Sequence, residues 1–469
     1  MDRKWRALIV VCVAIFMLLL DITVVNVALP DIQRELHTSF TDLQWVVDAY
    51  ALMLATVMLN AGTLGDWLGR KRVFLGGVVL FTLASALCGS ATTPLFLNLA
   101  RGVQGIGGAI MFSVSLAILT QEFHGKERGT AFGIWGATIG AALAIGPLVG
   151  GALTTWAGWR WIFFVNLPIG VACLVGGIRE LHESRDESHG GLDLPGFATL
   201  TGGLFALVLG LLRGNDWHWG SGREIGIFVA AAALIGAFVV VESRKEHGMF
   251  DPSLFRKPAF TGAQIVAFTI SSGMFSLFLY LTLYLQNVLH LSPIGAGLRF
   301  LPLSVTSFFV APAAGRLSAI IAPRILFGVG LGLVGLALLL MHGITSSSHW
   351  THLLPGFLVG GIGIGLVNAP LASVAVSVVE PRRAGMAAGA NNTFRQVGVA
   401  TGIAALGAIL QSRTGGSSSP TAYIDGLNTV LLVAACVVFA GAVLGFLLVR
   451  TKDLVASGPQ QAQAAHGAD

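Results

Sequence analysis

Fourteen stretches, each with the roughly 20 apolar residues that a bilayer-spanning helix needs, follow one another from the first residues to the last fifty. They start near Arg6, Leu43, Val73, Leu95, Ala131, Trp161, Gly196, Ile225, Gly262, Ile294, Ile325, Leu353, Met386 and Asn428. A length of 469 residues alone would suit about three soluble domains, but 54% of the residues are hydrophobic and only 11% charged, against about 25% charged in soluble domains. One all-α integral membrane unit fits better. The 61 glycines agree, since glycine is commoner in membrane helices. Cys12, Cys88, Cys173 and Cys436 all lie in apolar runs and read as packing residues rather than disulfide or metal ligands.

An even helix count puts both termini on one side. Of the 28 lysines and arginines, twenty fall at the N-terminus and in the loops on its side, and five on the other. Those five are Arg34, Arg160, Arg213, Arg223 and Arg413. Arg101, Arg299 and Arg395 remain inside helices. The asymmetry places both termini in the cytoplasm of a plasma (inner) membrane protein. It also accounts for the net charge of +5 without a nucleic-acid partner. The first apolar stretch runs on through Asp21 to Pro30 with no small-residue cleavage site, so no cleavable signal peptide is expected. The polar tail, 453–469, is expected to be disordered and cytoplasmic, and Thr414–Pro420 to be an outer loop.

Three fragments recur at a near-constant offset. Gly62-Thr-Leu-Gly-Asp-Trp-Leu-Gly-Arg-Lys71 resembles Gly315-Arg-Leu-Ser-Ala-Ile-Ile-Ala-Pro-Arg324, 253 residues on. Gly105-Ile-Gly107 recurs as Gly361-Ile-Gly363, and Arg128-Gly-Thr-Ala-Phe-Gly133 as Ala384-Gly-Met-Ala-Ala-Gly389, both 256 residues on. This offset equals eight helices. It divides the chain into a six-helix bundle at 1–182, an inserted two-helix hairpin with linkers at 183–258, and a second six-helix bundle at 259–452. Parallel halves around a central cavity are a transporter architecture.

The chain resembles the major facilitator superfamily over nearly its full length. Within it, the chain is similar to the fourteen-helix drug:proton antiporters, the EmrB/QacA-like multidrug efflux transporters. Leu20-Asp-Ile-Thr-Val-Val-Asn-Val-Ala-Leu-Pro30 resembles that subfamily's first-helix signature. Gly62 to Arg72 matches the superfamily loop motif, with Asp66, Gly69 and Arg70. Leu99-Ala-Arg-Gly-Val-Gln-Gly-Ile-Gly-Gly-Ala109 resembles the fourth-helix motif with its buried arginine. Gly146-Pro-Leu-Val-Gly-Gly151 resembles the fifth-helix antiporter motif, and Trp159-Arg-Trp-Ile-Phe-Phe-Val-Asn-Leu-Pro168 also follows the subfamily. The resemblance implies the major facilitator fold and antiport of a small-molecule substrate against protons.

Charges at membrane depth are costly and point to function. Asp21, Asp48 and Arg101 lie about 13, 8 and 10 Å deep, counted at 1.5 Å per residue, all in the outer half of the first bundle. The expectation is one proton-coupling network, with Asp21 or Asp48 carrying the proton and Arg101 tuning it; a static packing network is the alternative. Adding 256 takes Asp21 to Leu277 and Arg101 to Phe357, so proton chemistry belongs mainly to the first half. Gly62, Asp66, Gly69, Arg70 and Arg128 are expected to form a conformational latch, with Asp66 pairing with a basic side chain or a helix N-terminus. The second copy has Ala319 in place of Asp66. Gly146, Gly150 and Gly151 offer a close-packing face, and Pro147 a local bend. Candidates for the substrate cavity are Asn26, Trp45, Gln104, Trp135, Phe275, Tyr284, Asn391 and Arg395, although any single aromatic is also suited to plain core packing. Arg395 lies about 16 Å into its helix, near mid-membrane.

There is no Gly-x-x-x-x-Gly-Lys-Ser/Thr phosphate loop and no His/Cys cluster of metal-ligand spacing. The expectations are therefore no enzyme activity, no ATP drive, no cofactor and no metal; the resemblance implies a proton gradient as the drive. A monomeric exporter of lipophilic, cationic or aromatic drugs or metabolites is the leading reading. Transport of one specific metabolite in either direction, and a non-transporting membrane sensor or scaffold, are the alternatives.

Overall fold

The computed structural model describes residues 2–38, 40–185, 194–244, 250–318, 320–379, 383–414 and 419–450. Ala319, most of the connection before Pro420 that was expected to be an outer loop, and the tail at 453–469 lie outside the described residues, as do the side chains of Asn26 and Pro147.

The described residues form fourteen long helices and no strand. In chain order they are α1 (Arg3–Leu36), α2 (Phe40–Leu68), α3 (Arg70–Gly89), α4 (Pro94–Glu122), α5 (Gly125–Ala157), α6 (Trp161–Glu180), α7 (Leu194–Trp217), α8 (Gly222–Ser243), α9 (Pro258–Val288), α10 (Pro293–Leu317), α11 (Pro323–Met341), α12 (Leu354–Ser377), α13 (Ala384–Thr414) and α14 (Pro420–Leu448). Thirteen of them are long and apolar enough to cross a membrane among the described residues; α5, at 33 residues, is the other. Most starts fall within three residues of expectation. The largest differences are α5, which begins at Gly125 rather than Ala131, and α14, which begins at Pro420 rather than Asn428. Polar residues in their first turns hide both starts. In α14 the start signal is present in the sequence: Ser419 Oγ accepts from the Ala422 amide at 3.1 Å, and Pro420 fills the first helical position, where no N–H is needed.

The repeat seen in the glycines is also a repeat of packing. In the first half α1 packs on α5, α2 on α4, and α3 on both α4 and α6. Eight helices later α9 packs on α13, α10 on α12, and α11 on both α12 and α14. The glycines make the corresponding contacts. A Cβ on Gly107 would lie 2.6 Å from the Phe81 nitrogen, and one on Gly363 2.9 Å from the Val334 nitrogen, so each fragment seats the fourth helix of its half on the third. The two halves meet where α2 crosses α13 and α5 crosses α10.

Helices α7 and α8 form a hairpin outside this scheme. α7 rests on α2 and α13. α8 packs on α7 and is apolar all round, with only 17% of its most apolar stretch buried, which is the signature of a helix facing lipid on most sides. α9 is interrupted by two π turns, at Ser271–Phe275 and Tyr284–Val288. Such turns widen a helix locally and favour functional sites.

Candidate functional site

Three of the quoted motifs converge on one carboxylate. Asp21 on α1 is fully buried. Its Oδ2 is ion-paired with Arg101 Nη1 of α4. Its Oδ1 accepts from Gln104 Nε2 at 3.0 Å and from Asn166 Nδ2 of α6 at 3.1 Å. Asn166 also donates to Ser85 Oγ of α3 at 3.1 Å. Arg101 has further support: its Nε donates to the Val46 carbonyl of α2 at 2.9 Å, its Nη1 to Gln104 Oε1 at 2.8 Å, and its guanidinium lies 4.2 Å from the Tyr50 ring centre. Five helices of the first half therefore hold one buried ion pair. Such a pair survives desolvation only when its remaining lone pairs and protons are satisfied, and here three donors serve the carboxylate. Neutralising Asp21 would remove the counter-charge while Val46 and Gln104 still hold Arg101.

Asp48 does not join this network. Val46 and Tyr50 face α4, whereas Asp48, about 200° round the helix from Val46 at 100° per residue, faces the hairpin. It pairs there with Arg213 Nη2 of α7 at 3.2 Å, and the Arg213 guanidinium sits 4.3 Å from the Trp45 ring centre. Arg213, assigned to an outer loop by the charge count, is in fact buried in α7. Depth along a helix was legible in the sequence; which face the side chain takes was not.

The loop motif sits on the face that carries both chain ends, here the terminal face. Asp66 is buried at the end of α2. Its Oδ1 accepts from Arg70 Nη2 at 2.9 Å and from the Gly385 amide at 3.1 Å, and its Oδ2 from the Met386 amide at 2.9 Å. The carboxylate of one half thus caps the first turn of α13 in the other, where unsatisfied amides and the helix dipole favour negative charge. Close backbone approach makes this possible. A Cβ on Gly62 would collide with the Gly385 carbonyl oxygen, and one on Gly129 with that of Gly315. These two crossings, α2 with α13 and α5 with α10, exchange the roles of the two repeat copies. Gly69 makes the α2–α3 turn at φ 111°, a conformation suited to glycine. The sequence reading missed Glu183, whose carboxylate accepts from the Lys71 and Arg72 amides at 3.1 and 3.2 Å and so caps α3. Arg128 lies 5.3 Å from the Phe132 ring centre.

The antiporter motif packs α5 against α1 beside the charged network. A Cβ on Gly146 would collide with Thr23, two residues from Asp21, and one on Gly150 would lie 2.8 Å from Val24 Cγ1. Gly151 instead faces Ile294 of α10, across the halves. The helix is continuous through position 147.

Between the halves is a small cavity lined by Ile139 and Gly140 of α5, Phe275 and Phe278 of α9, Leu303, Ser304 and Ser307 of α10, and Ile364 and Asn368 of α12. Water centres have about 10 Å³ in it, room for one water and far below the roughly 300 Å³ of a drug-sized site. The halves are closed on one another here, and admitting a substrate requires them to part.

Of the cavity candidates, Phe275 lines this space, at the first π turn. Arg395 reaches it indirectly, donating to Asn368 Oδ1 at 3.0 Å. The other described candidates are engaged elsewhere. Gln104 belongs to the Asp21 network. Trp135 is buried between α4 and α5, donating to Ser115 Oγ at 3.2 Å. Tyr284 is buried in the core of the second half, and Trp45 lies under Arg213. Asn391 donates to Gln264 Oε1 of α9 at 3.3 Å. Arg299 donates to its own helix at Gly295 O, 3.0 Å away, beside Trp350.

On the face opposite the termini, Glu35 of α1 pairs with Arg160 and accepts from Trp159 Nε1 at 2.6 Å. The Arg160 bond first, and the Trp159 bond with it, hold the Glu35 carboxyl below its ordinary value of 4.5 against the opposing effect of burial. A depressed carboxyl stabilises the fold above its unfolded value and loses that contribution as pH falls through the folded one. Half of the Glu35 side chain is exposed, so screening limits the clasp to about 1 kcal/mol or less. Melting curves should show Glu35→Gln slightly less stable than the wild type at neutral pH, with the gap closing on acidification below 4.5. A gap that widens in acid would refute the assignment.

This all-helical pair of pseudo-equivalent bundles, closed around a central cavity, defines a membrane transporter. Residues 11–403 match the Major Facilitator Superfamily model. The chain is 35% identical over 467 residues to the puromycin resistance protein of Streptomyces alboniger, covering 96% of this chain and 92% of that one. It is 34% identical to the tetracenomycin C resistance and export protein of Streptomyces glaucescens, over 88% and 77% of the two chains. It is 37% identical to the multidrug resistance protein Stp of Mycobacterium tuberculosis, over 86% and 75%. The crystal structure of the human organic anion transporter MFSD10 shares the fold, with a TM-score of 0.71 over 95% of this chain and all of that one, at 14% identity. The chain belongs to the major facilitator superfamily, alongside these resistance and multidrug resistance proteins.

Proposed function

We propose that this protein exports lipophilic small molecules across the plasma membrane by alternating access, in exchange for protons. The observation that carries the coupling is the Asp21–Arg101 pair. It is a fully buried carboxylate with three side-chain donors, in the half that has the antiporter motif packed beside it. The resistance and export proteins among the relatives support the direction of transport. The twenty-to-five distribution of basic residues supports cytoplasmic termini, so the Asp66 latch closes the cytoplasmic entrance. The halves rock about the α2–α13 and α5–α10 crossings, and the hairpin at 183–258 rides outside them. Phe275 and Phe278 favour an aromatic substrate; among the described residues no carboxylate lines the cavity to select a cationic one.

Overexpression in a drug-sensitive bacterial host tests this. Resistance to a subset of aromatic antibiotics should rise, intracellular drug should fall, and both effects should vanish with a protonophore. Unchanged resistance and accumulation across a broad panel would instead favour a sensor or scaffold.

A further inference from the structure

Arg395 of α13 is 8% exposed, near mid-membrane, and has no carboxylate partner among the described residues. Among the described residues it donates to a neutral amide, Asn368 Oδ1, and its Nε has no hydrogen-bond partner. Three residues earlier, on the same side of the helix, Asn392 is 1% exposed with neither amide atom bonded. Leaving such groups unpaired in a dry interior is costly, and a lone buried guanidinium most of all. The surroundings offer no internal remedy. From Pro258 to Arg450 the only acidic residues are Glu380, in the α12–α13 connection, and Asp425, in the first turns of α14. Asp425, near the start of α14, is not at the depth of Arg395, and Glu380 precedes the first residue of α13 in the sequence. The first half treats its own buried arginine quite differently, giving Arg101 a carboxylate, a backbone carbonyl and an amide oxygen. Asn368, the partner of Arg395, lies in the cavity wall with Ser304, Ser307, Phe275 and Phe278.

We propose that the missing counter-charge is the substrate's. The central site takes aromatic molecules bearing an anionic oxygen group, a carboxylate or a phenolate. Arg395 and Asn368 receive the anion, and the two phenylalanines cover the ring. An anion replaces Asn368 as acceptor once the halves part, and the fork of guanidinium N–H groups suits a planar oxyanion. The hydroxyls of Ser304 and Ser307 supply further donors. This deepens the export reading and rests on it.

The test uses the full-length chain in proteoliposomes under an imposed pH gradient, with carboxyfluorescein as the anionic aromatic probe and ethidium as the cationic one. The wild type should move carboxyfluorescein in preference to ethidium. Arg395→Gln should cut carboxyfluorescein transport and binding by about tenfold or more, the scale of one charge-assisted hydrogen bond, and Arg395→Lys should restore part of it. A merely structural arginine would lower both dyes together and leave their ratio unchanged, so an unchanged ratio overturns the proposal. Preference for ethidium, unaffected by Arg395→Gln, also overturns it while leaving the export reading intact. Movement of neither dye by a wild type that still confers resistance on cells would likewise overturn the anionic assignment. Absence of both transport and resistance would remove the export reading itself.

Discussion

Replacing Asp21 by Asn should abolish pH-gradient-driven export while sparing substrate exchange at equal pH. Asparagine keeps the size of the side chain and one acceptor for Arg101, so α1 stays seated against α4. It cannot bind and release a proton, and it leaves Arg101 facing a neutral group. Breaking a buried pair costs about 3–5 kcal/mol, and even the lower end corresponds to more than about a hundredfold in rate if the pair must re-form in every cycle. Gradient-driven export should therefore fall about a hundredfold. Counterflow, in which labelled substrate exchanges for unlabelled without net proton movement, should persist. Asp48→Asn is the matched control. Its carboxylate is bound to Arg213 on the hairpin, so coupled export should stay within about threefold of the wild type, the loss being that of a part-exposed pair. Equal collapse in both variants would mean that one network does span both carboxylates. Full coupled export by Asp21→Asn would end the assignment.

Gly62→Val should be nearly as damaging, by a different route. At Gly62 the obstacle is the carbonyl oxygen of Gly385, a backbone atom that no rotamer change can move. Overpacking of this kind costs about 1–3 kcal/mol. The rigid neighbour puts it at the upper end, where the closed terminal face is depopulated about a hundredfold. Each half remains able to fold, because the clash lies between halves. Thiol labelling of a cysteine placed at Ala388, buried in the closed form, should rise sharply in the Gly62→Val background as transport falls. Gly385→Val should copy the effect, since its added Cβ would approach Gly62 O and Asp66 Oδ1. Gly76→Val should not, because nothing lies within 4 Å of a Cβ there. Normal transport with a terminal face as protected as the wild type's would contradict the latch.

Several of these features could be read before any coordinates. Apolar length revealed the helices, and the recurring glycines revealed the two halves, because close crossings tolerate little else. The partners of Asp66, a basic side chain and a helix N-terminus, were legible because a carboxylate at a helix end among glycines has few other ways to be satisfied. Helix phase was the main obstacle. Asp48 and Asp21 are at similar depths, yet α2 turns Asp48 towards a hairpin whose position no local signal specifies. Two of the aromatic candidates lie away from the cavity for the same reason: Trp135 and Tyr284 are suited equally to a cavity or a core, and packing partners far away in sequence decide. Asn166 lay inside a quoted motif without a role, since its three-way link to Asp21 and Ser85 exists only after α1, α3 and α6 assemble. The π turns of α9, which set Phe275 on the cavity wall, have no compositional mark at all.

Coupling of substrate export to protons is tested most directly by recording internal pH in proteoliposomes of the purified protein when substrate is added with no pre-set gradient. Antiport requires that inward substrate movement drive protons out, so the lumen becomes alkaline, in proportion to substrate taken up, in the wild type but not in Asp21→Asn. Substrate uptake with no proton movement, or the same pH change in both proteins, would contradict it.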